Sequence, residues 1–215
     1  GIFQGKRLEA WIKEMLLIKG VHTFGDLPAN KLKIVASDIS RGKFLILPDD
    51  LPAYNLDPQT FPIHRAVRMS CSIPYFFQPV TLSYQGKKVY IVDGALLSNY
   101  PIWLFDQKKD RHICPTIGFR LRGAEKMSTT PIHGPISMLW AIFSTMMEAH
   151  DRLHIKEKDA ARTMFIPVEN VKATDFQISR QKKKRLIQLG REEAKRFFDQ
   201  WNYSLYLKKY EGVQV

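Results

Sequence analysis

Segments with strand character alternate with segments of helical periodicity along this chain, and that alternation limits the available folds more than any other feature. "KRLEAWIKEMLLIKG" places Leu8, Trp11, Ile12, Met15 and Leu16 on one helical face, with charges opposite and Gly20 as a stop. "KLKIVASDIS" and "GKFLILP" read as two strands joined by a short polar link. "PIHRAVRMSCSIPYFFQP" predicts a short helix with Pro62 near its start, broken before Pro74. "VTLSYQGKKVYIV" predicts a hairpin with Gln85, Gly86 and Lys87 in its turn. Further on, "ICPTIGFRL" and "RTMFIPV" read as strands on either side of a long helix over 135–160. A closing helix follows, with Leu186, Ile187, Leu189, Ala194, Phe197 and Phe198 turned inward. The pattern predicts a layered α/β fold with a largely parallel sheet. There is no internal repeat or low-complexity segment, and 125–135 is the most loop-like stretch.

At 215 residues and 45% hydrophobic content, the chain is long enough for one domain with a sizeable core and short for two. Its two cysteines, Cys71 and Cys114, lie in apolar surroundings without a Cys-x-x-Cys spacing, which argues for buried thiols in a reducing compartment and a cytoplasmic location. The first residues lack the apolar segment and cleavage site of a secretory signal. The most apolar stretch, residues 136–147, is far shorter than the roughly twenty residues of a spanning helix, and predicts a buried helix that could line an apolar pocket. A net charge of +12 favours anionic membranes or nucleic acid as neighbours.

Several patterns carry no chemistry. The chain has no Gly-x-Gly-x-x-Gly, no phosphate-binding Gly-x-x-x-x-Gly-Lys and no His-Glu-x-x-His, so no cofactor and no metal are expected. His150, His154 and Glu148 are close in sequence, but a third ligand at a telling spacing is missing, and ordinary helix histidines are the better reading. The basic run Arg180 to Arg185 lacks the interleaved aromatic residues of single-strand binders and reads as a solvated face. Asn202-Tyr203-Ser204 matches a glycosylation sequon by chance in a chain without a secretory signal.

The informative segment is "KKVYIVDGALLSNYP", in which an apolar run stops at Asp93-Gly94. An Asp-Gly pair makes a turn readily, because glycine accepts positive φ and the aspartate bonds the backbone two residues on. A carboxylate at a strand end can equally serve as a catalytic base.

The combination of "AVRMSCSIPYFFQPV", "VDGALLSNYP", "MMEAHD" and "ARTMFIPVENVKATDFQIS", in this order, resembles the bacterial patatin-like phospholipases over nearly the whole chain. The resemblance implies a three-layer α/β/α sheet and a lipid acyl hydrolase of phospholipase A or esterase type, working through a Ser-Asp dyad. Asp93 matches the base, Gly94 the residue that lets the chain turn away from the serine, and Asn99 and Pro101 the positions that follow and fix the loop. The dyad's Gly-x-Ser-x-Gly elbow and the glycine-rich oxyanion loop do not occur in these 215 residues. Ser70, Ser72 and Ser98 lack flanking glycines, and Ser70 and Ser72 fit a buried packing segment.

Residues 1–215 therefore read as the C-terminal portion of a single patatin-like domain, its N-terminal part absent and its nucleophilic serine expected upstream. Alone, it is expected to be inactive on esters and prone to association. The implied partners are a lipid ester or phospholipid substrate and, peripherally, an anionic membrane, with no nucleic acid expected. An inactive lipid-binding or scaffold protein is the alternative, and a basic nucleic-acid-binding module, supported only by charge, comes third.

Overall fold

The computed structural model describes residues 2–98, 100–106, 115–123, 132–135, 137–139, 141–142, 145, 156–169, 171 and 177–210. The chain divides into two compact units, one of Gly1–Asn99 with His133–Arg152, the other of Tyr100–Ile132 with Leu153–Val215.

The first unit contains α1 (Lys6–Leu17), β1 (Ile34–Asp38), β2 (Lys43–Leu47), α2 (Ile63–Ser70), β3 (Val80–Tyr84) and β4 (Lys87–Asp93). Its sheet has the order β2-β1-β4-β3, with every neighbouring pair antiparallel. This corrects the expectation of a largely parallel sheet. The links from β1 to β2 and from β3 to β4 are a few residues long, and a parallel partner needs a crossover of a dozen or more. The β3–β4 turn holds Gln85 at φ 49° and Gly86 at φ 74°, the two left-handed residues of a two-residue hairpin whose twist matches its strands.

The core lies between this sheet and α2. Ala36, Leu45, Leu82, Val89 and Ile91 project from the strands onto Ile63, Ala66 and Met69 of the helix and onto Leu51, Tyr54 and Phe61 from the intervening loop. Burying a side chain such as Ile91, which is 0% exposed, contributes about 1.5–3 kcal/mol relative to leaving it in water. Pro62, at φ −69°, begins α2 as the sequence predicts, and the Cys71 N–H closes it on the Val67 carbonyl. In α1 the expected apolar face is only partly covered, since Ile12 and Leu16 are half-buried while Trp11 and Met15 are exposed.

Residues 135, 137–139, 141–142 and 145 are helical, as the apolar stretch predicts. Burial is not what they show, because Met138, Leu139 and Ile142 are each about half exposed. The residues considered for a metal site, Glu148, His150 and His154, lie outside the described residues, as do Cys114 and most of the loop-like stretch over 125–135.

The second unit pairs β5 (Gly118–Arg122) in parallel with β6 (Thr163–Pro167), and α4 (Arg180–Gln200) lies against β6. Between the strands comes α3 (Glu157–Ala160) and, at the end of the unit, α5 (Tyr203–Tyr210). Ser179 caps α4 by accepting the Lys182 N–H. The buried Arg162 guanidinium reaches Asp106, at 2.6 Å to Oδ2, and Asp159, at 2.6 Å to Oδ1. Burial opposes its charge, and the two carboxylates outweigh burial and hold it protonated. Of the residues expected to face inward on α4, Leu189 is buried, whereas Ile187 and Phe198 are exposed. The chain thus has the mixed α/β composition its sequence predicts, with one antiparallel sheet and one parallel pair.

Candidate active site

Two aspartates end strands in the antiparallel sheet, and their surroundings differ. Asp38, the last residue of β1, is 0% exposed. Its Oδ1 accepts the Ser40 and Arg41 N–H groups at 3.0 and 3.1 Å, and its Oδ2 accepts the Tyr54 hydroxyl at 2.9 Å. The Arg41 guanidinium, which bonds the Tyr54 hydroxyl and lies over the Tyr84 ring, stands 4.0 Å from Oδ2. Burial, reinforced by the Asp38 carboxylate, pushes the Tyr54 hydroxyl well above the usual tyrosine range. Both oxygens of this buried carboxylate accept hydrogen bonds, so Asp38 is a structural carboxylate.

Asp93, the last residue of β4, is half-buried. Its Oδ1 accepts the Ala95 N–H at 2.9 Å, which caps the short turn of 3₁₀-helix over Gly94–Leu96. Among the described residues no donor reaches Oδ2. Burial raises the carboxyl above the usual aspartate range, and the Ala95 N–H only partly offsets this.

The backbone fixes where this carboxylate stands. Asp93 pairs with Ala36 of β1, and on the other side its N–H donates to the Ser72 carbonyl at 3.0 Å, beyond the point where β3 begins. Ser72 is fully buried and its hydroxyl donates to the Arg68 carbonyl at 2.7 Å while accepting from the Arg68 guanidinium. Ser72 is therefore a packing residue, as its sequence context suggests. The hydroxyls of Ser70 and Ser98, among the described residues, make no hydrogen bond to Asp93. Gly94 has a reason for being glycine beyond turning the chain: a Cβ there would lie 2.8 Å from the Val35 carbonyl. Its own carbonyl accepts the Ser98 N–H at 3.0 Å. Asn99 lies outside the described residues.

Arg68 is the residue that sequence reasoning missed. Only 2% exposed, it donates through Nη2 to the carbonyls of Gln4 and Gln78, each at 2.9 Å, and stands over the Phe77 ring. Desolvation lowers its pKa, and among the described residues no carboxylate forms an ion pair with it. Gly5, at φ +72°, leaves the space it occupies, since a Cβ would fall 2.2 Å from Nε. The available signal was an arginine directly before Met69, inside the apolar "AVRMS" run. Nearby Cys71 is a half-buried free thiol, pushed up by burial and by Asp93.

No group of three or more His, Cys, Asp or Glu side chains among the described residues could hold a metal ion. No helix among them is long and apolar enough to cross a membrane.

A mixed α/β chain with a half-buried strand-end carboxylate followed by glycine fits the hydrolase class that the motifs suggest. The chain belongs to the patatin-like phospholipase family, whose model matches residues 1–106. The uncharacterized protein YqhO of Bacillus subtilis (strain 168) is 43% identical to it over 204 residues, which are 94% of this chain and 69% of that protein. The uncharacterized protein R571 of Acanthamoeba polyphaga mimivirus is 26% identical over 202 residues, 91% of this chain and 64% of that protein. Family membership connects the chain to lipid hydrolysis.

Proposed function

We propose that this chain carries the base of a lipid acyl hydrolase, with Asp93 as the residue that accepts the proton of a serine hydroxyl supplied from outside the 215 residues. The observation that carries the reading is the contrast between strand ends: Asp38 accepts hydrogen bonds at both oxygens, while Asp93 keeps one carboxylate oxygen without a described donor. With no histidine in between, a carboxylate can deprotonate serine only by direct contact, and a rigid strand end holds it in place. Burial makes Asp93 a stronger base than an exposed aspartate, which moves it toward the operating pH.

In this mechanism Asp93 takes the hydroxyl proton as the serine oxygen bonds to the ester carbonyl carbon. The tetrahedral oxyanion then collapses, the alkoxy group leaves with the proton returned from Asp93, and an acyl-serine remains. Asp93 next takes a proton from water, whose oxygen attacks the acyl carbon, and the serine recovers its hydrogen as the free acid departs. Gly94 and Asn99 support the loop that follows the base. A basic surface, at +12 overall, favours peripheral contact with anionic lipid.

The test uses the longer protein that contains a Gly-x-Ser-x-Gly serine together with this chain. Asp93→Asn keeps the shape and removes the proton acceptor, so ester turnover is expected to fall by about 10²–10⁴. Turnover within a few-fold of the parent removes Asp93 from the mechanism.

A further inference from the structure

At the opposite end of the β3–β4 hairpin from Asp93, a cavity of about 440 Å³ opens beside the edge strand β3. Its size falls within the range of small-molecule sites. Leu56 and Phe61 supply an apolar floor, and two cations border the cavity around the edge of β3, Arg65 of α2 from one face of the sheet and Lys88 of β4 from the other. No acidic side chain is among the described residues that line it. Neither cation forms an ion pair among the described residues, and Lys88 has only a ring contact, 5.4 Å from the Tyr90 centroid.

The strand edge adds neutral donors and acceptors. The Tyr84–Lys87 pair closes a two-residue turn and is hydrogen-bonded, so bonding alternates from there and the backbone groups of Ser83 and Thr81 face away from β4. Ser83 and Thr81 line the cavity. Two cations at the strand edge, with backbone N–H groups between them and apolar Leu56 and Phe61 beside them, complement a ligand with one anionic head and one apolar tail.

We propose that this cavity is an accessory binding site for a long-chain monocarboxylate, its head between Arg65 and Lys88 and its tail on Leu56 and Phe61. The choice of a fatty acid among amphiphilic anions rests on the acyl-hydrolase reading, which releases one at each turnover. Lys88 precedes Asp93 by five strand residues, a separation of about 16 Å along the strand, so the site is separate from the base and suits product sensing.

The experiment is isothermal titration of the longer, serine-containing protein with laurate below its micelle concentration, on the parent and on Asp93→Asn, which needs no turnover. Laurate is expected to bind both equally, and at least tenfold more weakly to R65Q/K88Q. Ser83→Glu, a substitution at an exposed position, places a repelling carboxylate in the cavity and is expected to weaken laurate at least tenfold too, should the double variant fail to fold. Acetate, a head without a tail, and octyl glucoside, a tail without a charge, are each expected to bind at least tenfold more weakly. Absence of laurate binding to the parent, unchanged affinity in the folded cavity variants, or loss of binding in Asp93→Asn each overturns the proposal. Laurate binding to a parent protein that shows no esterase activity overturns the hydrolase reading instead and leaves this site standing.

Discussion

The ends of β1 and β4 are built from the same parts, an apolar run closing on an aspartate, yet they do opposite things with the charge. At Asp38 two backbone N–H groups and a tyrosine hydroxyl surround a fully buried carboxylate, with Arg41 beside it. At Asp93 burial is incomplete and one turn amide is the described donor. A buried carboxylate is tolerated where its lone pairs are filled. Where they are left open, the proton is held more tightly, which is what the proposed role of Asp93 requires. Position at a strand end therefore does not distinguish the two carboxylates; the donors around them do.

That comparison is broken most directly at Asp38. Asp38→Ala strands the Tyr54 hydroxyl and the Ser40 and Arg41 amides, and is expected to cost about 3 kcal/mol or more of unfolding free energy, since hydrogen bonds to a charged group contribute about 1.5–3 kcal/mol each. Urea unfolding followed by circular dichroism measures it, and a change within experimental error would mean that the network is not what holds this end of the sheet.

A smaller effect is expected from Gly94→Ala. The new methyl meets the Val35 carbonyl at 2.8 Å, and overpacking of this kind costs about 1–3 kcal/mol. Because the displaced residue is bonded to Asp93, ester turnover of the serine-containing protein should fall along with the melting temperature. Retained stability and retained turnover together would show that the backbone there gives way freely.

The smallest change, and the one of opposite sign, belongs to Asp93→Asn. The folded-state pKa of Asp93 lies above its unfolded value, so the native state binds more protons over the interval between them, and stability falls as pH rises through that interval. Above it the cost of the buried charge is fully present, and the uncharged amide avoids it. The variant is expected to melt above the parent at neutral pH, with the difference vanishing at about pH 3.5, below the ordinary aspartate pKa. A variant that melts lower at neutral pH would place Asp93 with Asp38 among the structural carboxylates.

Much of this was readable along the chain. Gly86 between two β-rich runs marks a hairpin, although Lys87, expected in its turn, already opens β4, and Pro62 marks where α2 begins, because both act through local backbone sterics. Asp93 was visible as the carboxylate that stops β4. Strand direction was less accessible, since helix and strand alternation suggests crossovers, whereas short links enforce hairpins. Met138, Leu139, Ile142, Ile187 and Phe198 were expected to be buried and are exposed; periodicity marks an apolar face without naming what covers it. The distinction between Asp38 and Asp93 was the least legible part. It depends on Tyr54, which is 16 residues away from Asp38, and on Ser72, which meets Asp93 only through a backbone contact.

Arg68 binds the carbonyls of Gln4 and Gln78 and the hydroxyl of Ser72, whose own carbonyl holds the Asp93 amide. These are links in series, each short and without slack, running from the strand-like start of the chain to the carboxylate. In mechanical terms the arginine is a crosspiece between the segment ahead of α1 and the strand end at Asp93. The backbone that leads into α1 and the backbone that carries Asp93 are thus fastened to one side chain, the second by way of Ser72.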